Sequence, residues 1–250
     1  MKIYGLIGEK LGHSFSQKYF SDKFEQESFH DCVYQNFELA SIDLFPELIQ
    51  NNTELYGLNV TIPYKTAIIP YLDELSPVAK AIGAVNTIEF KRENGQVRLI
   101  GHNTDVIGFK DSLRPLLKGH HHKALILGKG GAAKAVEYVL KEIGLEVLFV
   151  SSSNKPGTIP YETLNDIAMQ TFKVIINCSP VGTYPNVDDA PNIPYEHITD
   201  DHLLYDLIYN PPVTKFLKHG QEKGALIQNG YPMLTMQAEA AWKIWNQTSN

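Results

Sequence analysis

The sequence predicts an α/β fold, and three observations carry that expectation. Residues 124–127 form a short apolar run without polar alternation, the pattern of a strand buried on both faces. Ala133, Val136, Val139 and Leu140 then recur at helical spacing, Gly144 closes that helix, and Glu146–Val150 gives a second strand. The first half of the chain also alternates apolar runs with amphipathic stretches. With 250 residues and 43% hydrophobic content, the chain can build one large domain or two modest ones with real cores.

The junction between the first of these strands and its helix carries Gly128, Gly130 and Ala133, a G-x-G-x-x-G/A spacing. Gly128 permits the tight turn. Gly130 lets backbone approach a pyrophosphate held at the positive end of the helix, and Ala133 lets the helix pack closely on the strand. Gly131 and Ala132, inside the same turn, complete the expected phosphate contact. A lone glycine motif is weak, because glycines also end strands for structural reasons. Strand, turn, helix and second strand in register turn it into a dinucleotide-binding unit.

About 20 residues beyond the glycines, an NAD-binding unit usually carries an acidic residue for the ribose hydroxyls. Here the chain reads Ser151, Ser152, Ser153, Asn154, Lys155. No carboxylate is present to repel a 2′-phosphate, while hydroxyls and a lysine can hold one. NADP is therefore the expected cofactor, with Ser152, Ser153 and Lys155 as its contacts and NAD as the alternative.

A net charge of −6 argues against a nucleic-acid partner, which usually requires a basic face. The N-terminal stretch has one early lysine and an apolar run broken by glycines, so neither a signal peptide nor a membrane span is expected. Cys32 and Cys178 cannot form a disulfide framework and suit a reducing cytoplasm. Three consecutive histidines, His120, His121 and His122, read as a solvated connection, and no metal site is expected.

Taken in order, residues 1–8 alternate toward a strand, and the turn Gly12-His13-Ser14-Phe15-Ser16 follows its carboxyl end, where open α/β sheets place ligand contacts. Ser14 and Ser16 either present their hydroxyls on one side of an extended segment or cap the helix that begins near Gln17. Residues 18–27 are an amphipathic helix, 32–39 a strand, and 44–50 a helix with Asp43 as its cap. Residues 55–62 form a third strand, ended by Pro63. Lys65 lies near a helix start, where a cation opposes the helix dipole, so it is either a functional group or a surface lysine. Asn86 interrupts an apolar run and Asp105 stands at a strand-to-helix junction. Buried polar groups need partners, and a Lys–Asp pair beside a substrate hydroxyl would be a tuned general acid/base.

These residues carry a resemblance. Ser14-Phe15-Ser16, Asn59-Val60-Thr61-Ile62-Pro63-Tyr64-Lys65, Gly83-Ala84-Val85-Asn86-Thr87, Asn103-Thr104-Asp105 and the Gly128 turn are similar, in order and spacing, to the shikimate/quinate dehydrogenase family. The similarity continues through Asn177-Cys178-Ser179-Pro180-Val181-Gly182, Asp206-Leu207-Ile208-Tyr209-Asn210-Pro211 and Gly230-Tyr231-Pro232-Met233-Leu234 to Gln237. It covers essentially the whole chain.

The resemblance implies two α/β domains facing a cleft. A substrate domain would comprise residues 1–104 and 230–250, with the last helix returning to it, and a Rossmann-like NADP-binding domain residues 105–229. It implies reversible reduction of 3-dehydroshikimate to shikimate, on the route to chorismate and the aromatic amino acids. Lys65 and Asp105 become the catalytic pair around the substrate oxygen, with Lys65 the proton donor and Asp105 either transferring a proton or orienting Lys65. Ser14 and Ser16 match carboxylate-binding positions with Tyr209 nearby, and Thr61, Asn86 and Gln237 match positions at the ring hydroxyls. Asn177, Ser179, Thr183, Ile208 and Gly230 match the nicotinamide side.

One departure stands out. The family's NADP-specific members usually carry an arginine just after the second strand of the nucleotide domain, where this chain has Ser152-Ser153-Asn154-Lys155. A lysine supplies charge but neither stacks on adenine nor pairs in fork geometry, so weaker discrimination between NADP and NAD is expected. The rival readings are an NAD-using quinate/shikimate dehydrogenase and a non-catalytic dinucleotide sensor, acting on or binding small molecules as a monomer or homodimer.

Overall fold

The apolar runs around residues 1–8, 55–60, 124–127 and 146–150 become strands, and the period of each decides what it covers. The computed structural model describes residues 1–12, 14–93, 95–153 and 156–246. Its contacts divide the chain into two units, Met1–Thr104 with Ala238–Asn250, and Asp105–Gln237. The second division falls inside the last helix rather than ahead of Gly230.

The first unit runs β1 (Lys2–Gly8), α1 (Phe15–Gln26), β2 (Cys32–Glu38), α2 (Phe45–Asn51), β3 (Leu55–Val60), β4 (Glu74–Leu75), α3 (Pro77–Ile82), β5 (Thr87–Glu93) and β6 (Gln96–His102). Among the described residues its strands form a six-stranded sheet in the order β2-β1-β3-β5-β6-β4. β1 is parallel to β2 and β3, whereas β5 is antiparallel to β3 and β6. The period of two along β1 sends Ile3 and Ile7 to a cluster with Phe45 and Leu55, and Tyr4 and Leu6 to an aromatic cluster with Phe20, Phe24 and Trp245. Trp245, from the last helix, lies flat on Gly57, where a Cβ would collide with the indole ring. Its indole N–H donates to the Ile88 carbonyl at 3.0 Å, which gives the buried polar edge of the ring its partner.

One open alternative is resolved and three local readings change. Ser14 caps α1, its hydroxyl accepting from the Gln17 amide at 3.3 Å, and Ser16 lies inside that helix, so the two do not share an extended segment. Asp43 does not cap α2. It accepts from the hydroxyls of Tyr71 at 2.7 Å and Ser41 at 2.8 Å, and the preceding 3-10 turn places Leu44 at the cap position. β3 ends at Val60, and Lys65 follows in a run of turns with no α-helix behind it, which removes the dipole argument for that residue. His121 is 5% exposed and bonded rather than solvated: its Nδ1 accepts from the Lys118 amide at 3.0 Å, and Nε2 meets the Asp201 carbonyl at 3.0 Å.

The second unit continues with α4 (Asp105–Leu113), β7 (Lys123–Leu127), α5 (Gly131–Glu142), β8 (Glu146–Val150), α6 (Asp166–Thr171), β9 (Val174–Asn177), β10 (Leu203–Asp206), α7 (Lys215–Glu222), β11 (Leu226–Gln228) and the start of α8 (Tyr231–Trp245). Its sheet, β11-β10-β9-β7-β8, is parallel throughout. Parallel strands are covered on both faces, which is why β7 and β9 read as unbroken apolar runs. Leu125, Leu127, Ile175 and Leu204 pack with Phe216 and Leu217 of α7 on one side. From β7 the chain passes to β8 on one flank and then to β9, β10 and β11 on the other, so the order reverses between β7 and β9. No helix among the described residues is long and apolar enough to cross a membrane.

Candidate active site

In the first unit, the residues singled out from the sequence gather at one end of the sheet. β1 ends at Gly8 and leads to Ser14. Parallel to it, β3 ends at Val60 and leads to Thr61, whose amide donates to the Ile7 carbonyl at 2.9 Å. β5 runs the opposite way, so Asn86, just ahead of it, reaches the same end, and the Val60 amide donates to the Asn86 carbonyl at 2.8 Å. The Val85 amide donates to the Lys65 carbonyl at 2.7 Å, which holds the lysine's backbone one residue from Asn86. Ser14, Ser16, Thr61 and Lys65 are half-buried there and Asn86 is buried.

Asn86 is anchored through its carboxamide oxygen, which accepts from the Thr104 amide at 2.6 Å and faces the hydroxyls of Thr87 and Thr104, each at 3.1 Å. This satisfies a polar group inside an apolar run. It also fixes Thr104, after which Asp105 opens α4. Burial raises the Tyr34 phenol well above the ordinary range, and its hydroxyl donates to the Asn59 carboxamide oxygen at 2.7 Å.

In the second unit, the carboxyl ends of β7 and β9 meet at the strand-order reversal, the place where open α/β sheets bind ligands. Gly128 has φ +95°, and a Cβ on it would stand 3.1 Å from the Ser179 amide nitrogen, so the turn after β7 and the turn after β9 are in contact there. The Cys178 amide donates to the Leu127 carbonyl at 2.8 Å. Burial pushes the Cys178 thiol well up, which keeps it protonated and unreactive. Gly130 caps α5 without any side-chain hydrogen bond, and a Cβ on Gly130 or Gly131 would meet nothing within 4 Å. A helix N-terminus with open backbone in front of it, continued by Ala132, fits a pyrophosphate.

The side chain of Asn177 is buried and bonded within the turn. At 0% exposure, its Oδ1 accepts from the Ser179 hydroxyl at 2.6 Å and amide at 3.0 Å, and its Nδ2 donates to Asp206 at 3.1 Å. A further Nδ2 bond reaches the Val181 carbonyl at 3.3 Å, so the Asn177 side chain is part of the framework of the turn. Asp206, also at 0% exposure, accepts in addition from the Ile208 amide at 3.0 Å and the Thr214 hydroxyl at 2.6 Å. Burial raises its carboxyl to about 6 against these three donors. The sequence signal of Asp206 is a lone acid that ends an apolar strand.

Thr183, Ile208 and Tyr209 line one groove of about 390 Å³ together with Tyr184, Leu207 and Asn210. Gly230 stands behind it, with its amide bonded to the Ile208 carbonyl at 3.0 Å and no room for a Cβ beside the Leu207 carbonyl. Gln237 is buried and donates to the Leu234 carbonyl at 2.9 Å within α8. Ser152 and Ser153 are exposed after β8, and Lys155 lies outside the described residues. Among the described residues no group of three or more His, Cys, Asp or Glu side chains could hold a metal ion.

The family model described as the shikimate dehydrogenase substrate binding domain matches residues 6–88. A relative from Halothermothrix orenii, named shikimate dehydrogenase (NADP(+)), is 37% identical across 98% of this chain and 90% of its own length. One of the same name from Clostridium beijerinckii is 38% identical across 99% and 93%. The crystal structure of shikimate 5-dehydrogenase from Thermus thermophilus in complex with NADP(H) and shikimate superposes with a TM-score of 0.85 at 29% identity, covering 99% of this chain and 94% of that one. Likeness of this extent spans both sheets and every motif placed above, and the chain belongs to the shikimate dehydrogenase family.

Proposed function

We propose that this protein is an NADP-dependent shikimate dehydrogenase that reversibly reduces the carbonyl of 3-dehydroshikimate to the alcohol of shikimate. The observation that carries the reading is the full-length likeness to relatives of that activity, running through a glycine turn whose geometry fits a dinucleotide. NADPH, when bound, supplies a hydride from nicotinamide C4. Gly128, Gly130, Gly131 and Ala132 hold the pyrophosphate, and Thr183 and Ile208 line the nicotinamide side with Ser179 and Gly230 behind them.

As the carbonyl carbon gains the hydride, its oxygen gains negative charge and needs a proton. Lys65 donates that proton and Asp105 holds Lys65 toward the oxygen, so charge is stabilised where it develops. The Ser14 hydroxyl accepts from the helix it caps and keeps its own proton for a substrate carboxylate, for which Ser16 and Tyr209 are the further contacts. Thr61, Asn86 and Gln237 address the ring hydroxyls. The Asn86 oxygen is committed to Thr104, so its contribution is as a donor. The two free cysteines suit action in the cytoplasm.

The test is nicotinamide absorbance with shikimate and NADP, on the wild type and on Lys65→Ala. Removal of a general acid costs about a hundredfold to ten-thousandfold in kcat, with shikimate affinity largely kept. A wild type that oxidises neither shikimate nor quinate with either cofactor would overturn the reading and favour a dinucleotide sensor.

A further inference from the structure

The sequence assigns the 2′-phosphate of NADP to the hydroxyls after β8 and to Lys155. The structure brings a second cation to the same loop. Lys129 follows Gly128 in the glycine turn, yet its ammonium reaches sideways to the loop beyond β8. There it donates to the Pro156 carbonyl and lies 3.4 Å from the point where a Cβ on Gly157 would stand. Nζ is also 5.2 Å from the centroid of the Phe149 ring on β8, a cation–π distance that holds the side chain across the strand end. Phe149 and Pro156 bracket the serines. The Ser151 and Ser153 hydroxyls are 3.0 Å apart, and Ser152 and Ser153 face solvent.

This loop, about 20 residues beyond the glycines, is where a βαβ dinucleotide unit meets the adenosine ribose. A cation from the first turn thus reaches the loop that carries these hydroxyls, where a 2′-phosphate would lie. We propose that Lys129 reads that phosphomonoester and sets the preference for NADP over NAD. The inference rests on the proposed function and gives its cofactor site a specificity residue. An ammonium donates in three directions, and a charged phosphate oxygen is a stronger acceptor for it than a neutral carbonyl.

The experiment is calorimetric titration of the full chain with 2′,5′-ADP and with 5′-AMP, for the wild type, Lys129→Ala and Lys155→Ala. In Lys129→Ala, 2′,5′-ADP should weaken about tenfold or more, as for a lost charge-assisted hydrogen bond, while 5′-AMP stays within about twofold. Equal weakening of both ligands would make Lys129 a shaping residue of the turn and overturn the proposal. So would a loss confined to Lys155→Ala, or a wild type that binds both ligands equally. A 2′-phosphate preference that depends on Lys129, in a protein without shikimate turnover, would uphold this inference while sinking the proposed reaction.

Discussion

The Asn177 amide donates to a carboxylate oxygen of Asp206 across 3.1 Å, tying the end of β9 to the end of β10 with no solvent between them. The tie carries a pH dependence. The Asp206 carboxyl sits at about 6 in the folded protein against 3.8 for the ordinary group, so the folded state binds the proton more tightly. Stability from this residue is therefore fully present below about pH 4, falls as pH rises toward 6, and is level above that, a change of about 3 kcal/mol at most. Asp206→Asn keeps the shape and removes the titration. Its melting temperature minus that of the wild type should climb between pH 4 and 6; a difference flat across that range would refute the account.

Gly130 and Gly128 should respond differently to alanine. A Cβ on Gly130 meets open space and the residue has φ −100°, so Gly130→Ala should shift stability by no more than about 0.5 kcal/mol while weakening NADP binding. Gly128 has φ +95° with Ser179 pressed against it, and Gly128→Ala should cost about 1–3 kcal/mol. Thermal melts and cofactor titration of the two variants separate backbone strain from ligand clearance. A Gly130→Ala protein that binds NADP like the wild type would show that no pyrophosphate passes there.

Gly230 should fail in a third manner. Its missing Cβ would overlap the Leu207 carbonyl, so Gly230→Ala must move the Leu207-Ile208 backbone that lines the 390 Å³ groove. We expect about 1–3 kcal/mol of overpacking and a raised KM for NADP in the molecules that remain folded. An unchanged melting temperature would contradict the packing argument.

Cofactor choice supplies the last prediction. One ammonium and a few hydroxyls, without a guanidinium to stack on adenine, should favour NADP over NAD by roughly tenfold to a hundredfold in kcat/KM. Raising the salt concentration should erode that ratio, because the phosphate site is exposed. A ratio in the thousands would mean that residues besides Lys129 and the serines grip the phosphate.

The β7–α5–β8 segment was legible almost residue by residue, because a doubly buried strand, a glycine turn and a helical period are all local signals. Glu146–Val150 is a strand in both readings. The hairpin of β5 and β6 was missed. Lys91, Arg92, Glu93, Gln96 and Arg98 give it a polar exterior that hides the alternation, although Asn94-Gly95 between the strands is a strong hairpin signal. Lys65 was selected for an unfavourable helix dipole that is not there, and its standing now rests on its place beside Val85 and Asn86. Asn177 looked like a ligand because its position matched a pattern. Only the fold brings Ser179, Val181 and Asp206 together around its amide. The division at Gln237 was illegible for a similar reason: α8 continues across it without a break in helical pattern.

The indole of Trp245, seated on Gly57 with its N–H bonded to Ile88, sets an order of events during synthesis. Residues 1–104 leave the ribosome first, but the aromatic cluster beneath their sheet lacks Ala238, Ala241 and Trp245 until residues 105–237 have also been made. The second unit has all its strands in hand by then and can close on its own contacts. The half of the protein that is translated first thus leaves the ribosome with one face of β1 uncovered, and the residues that cover it are among the last to be made.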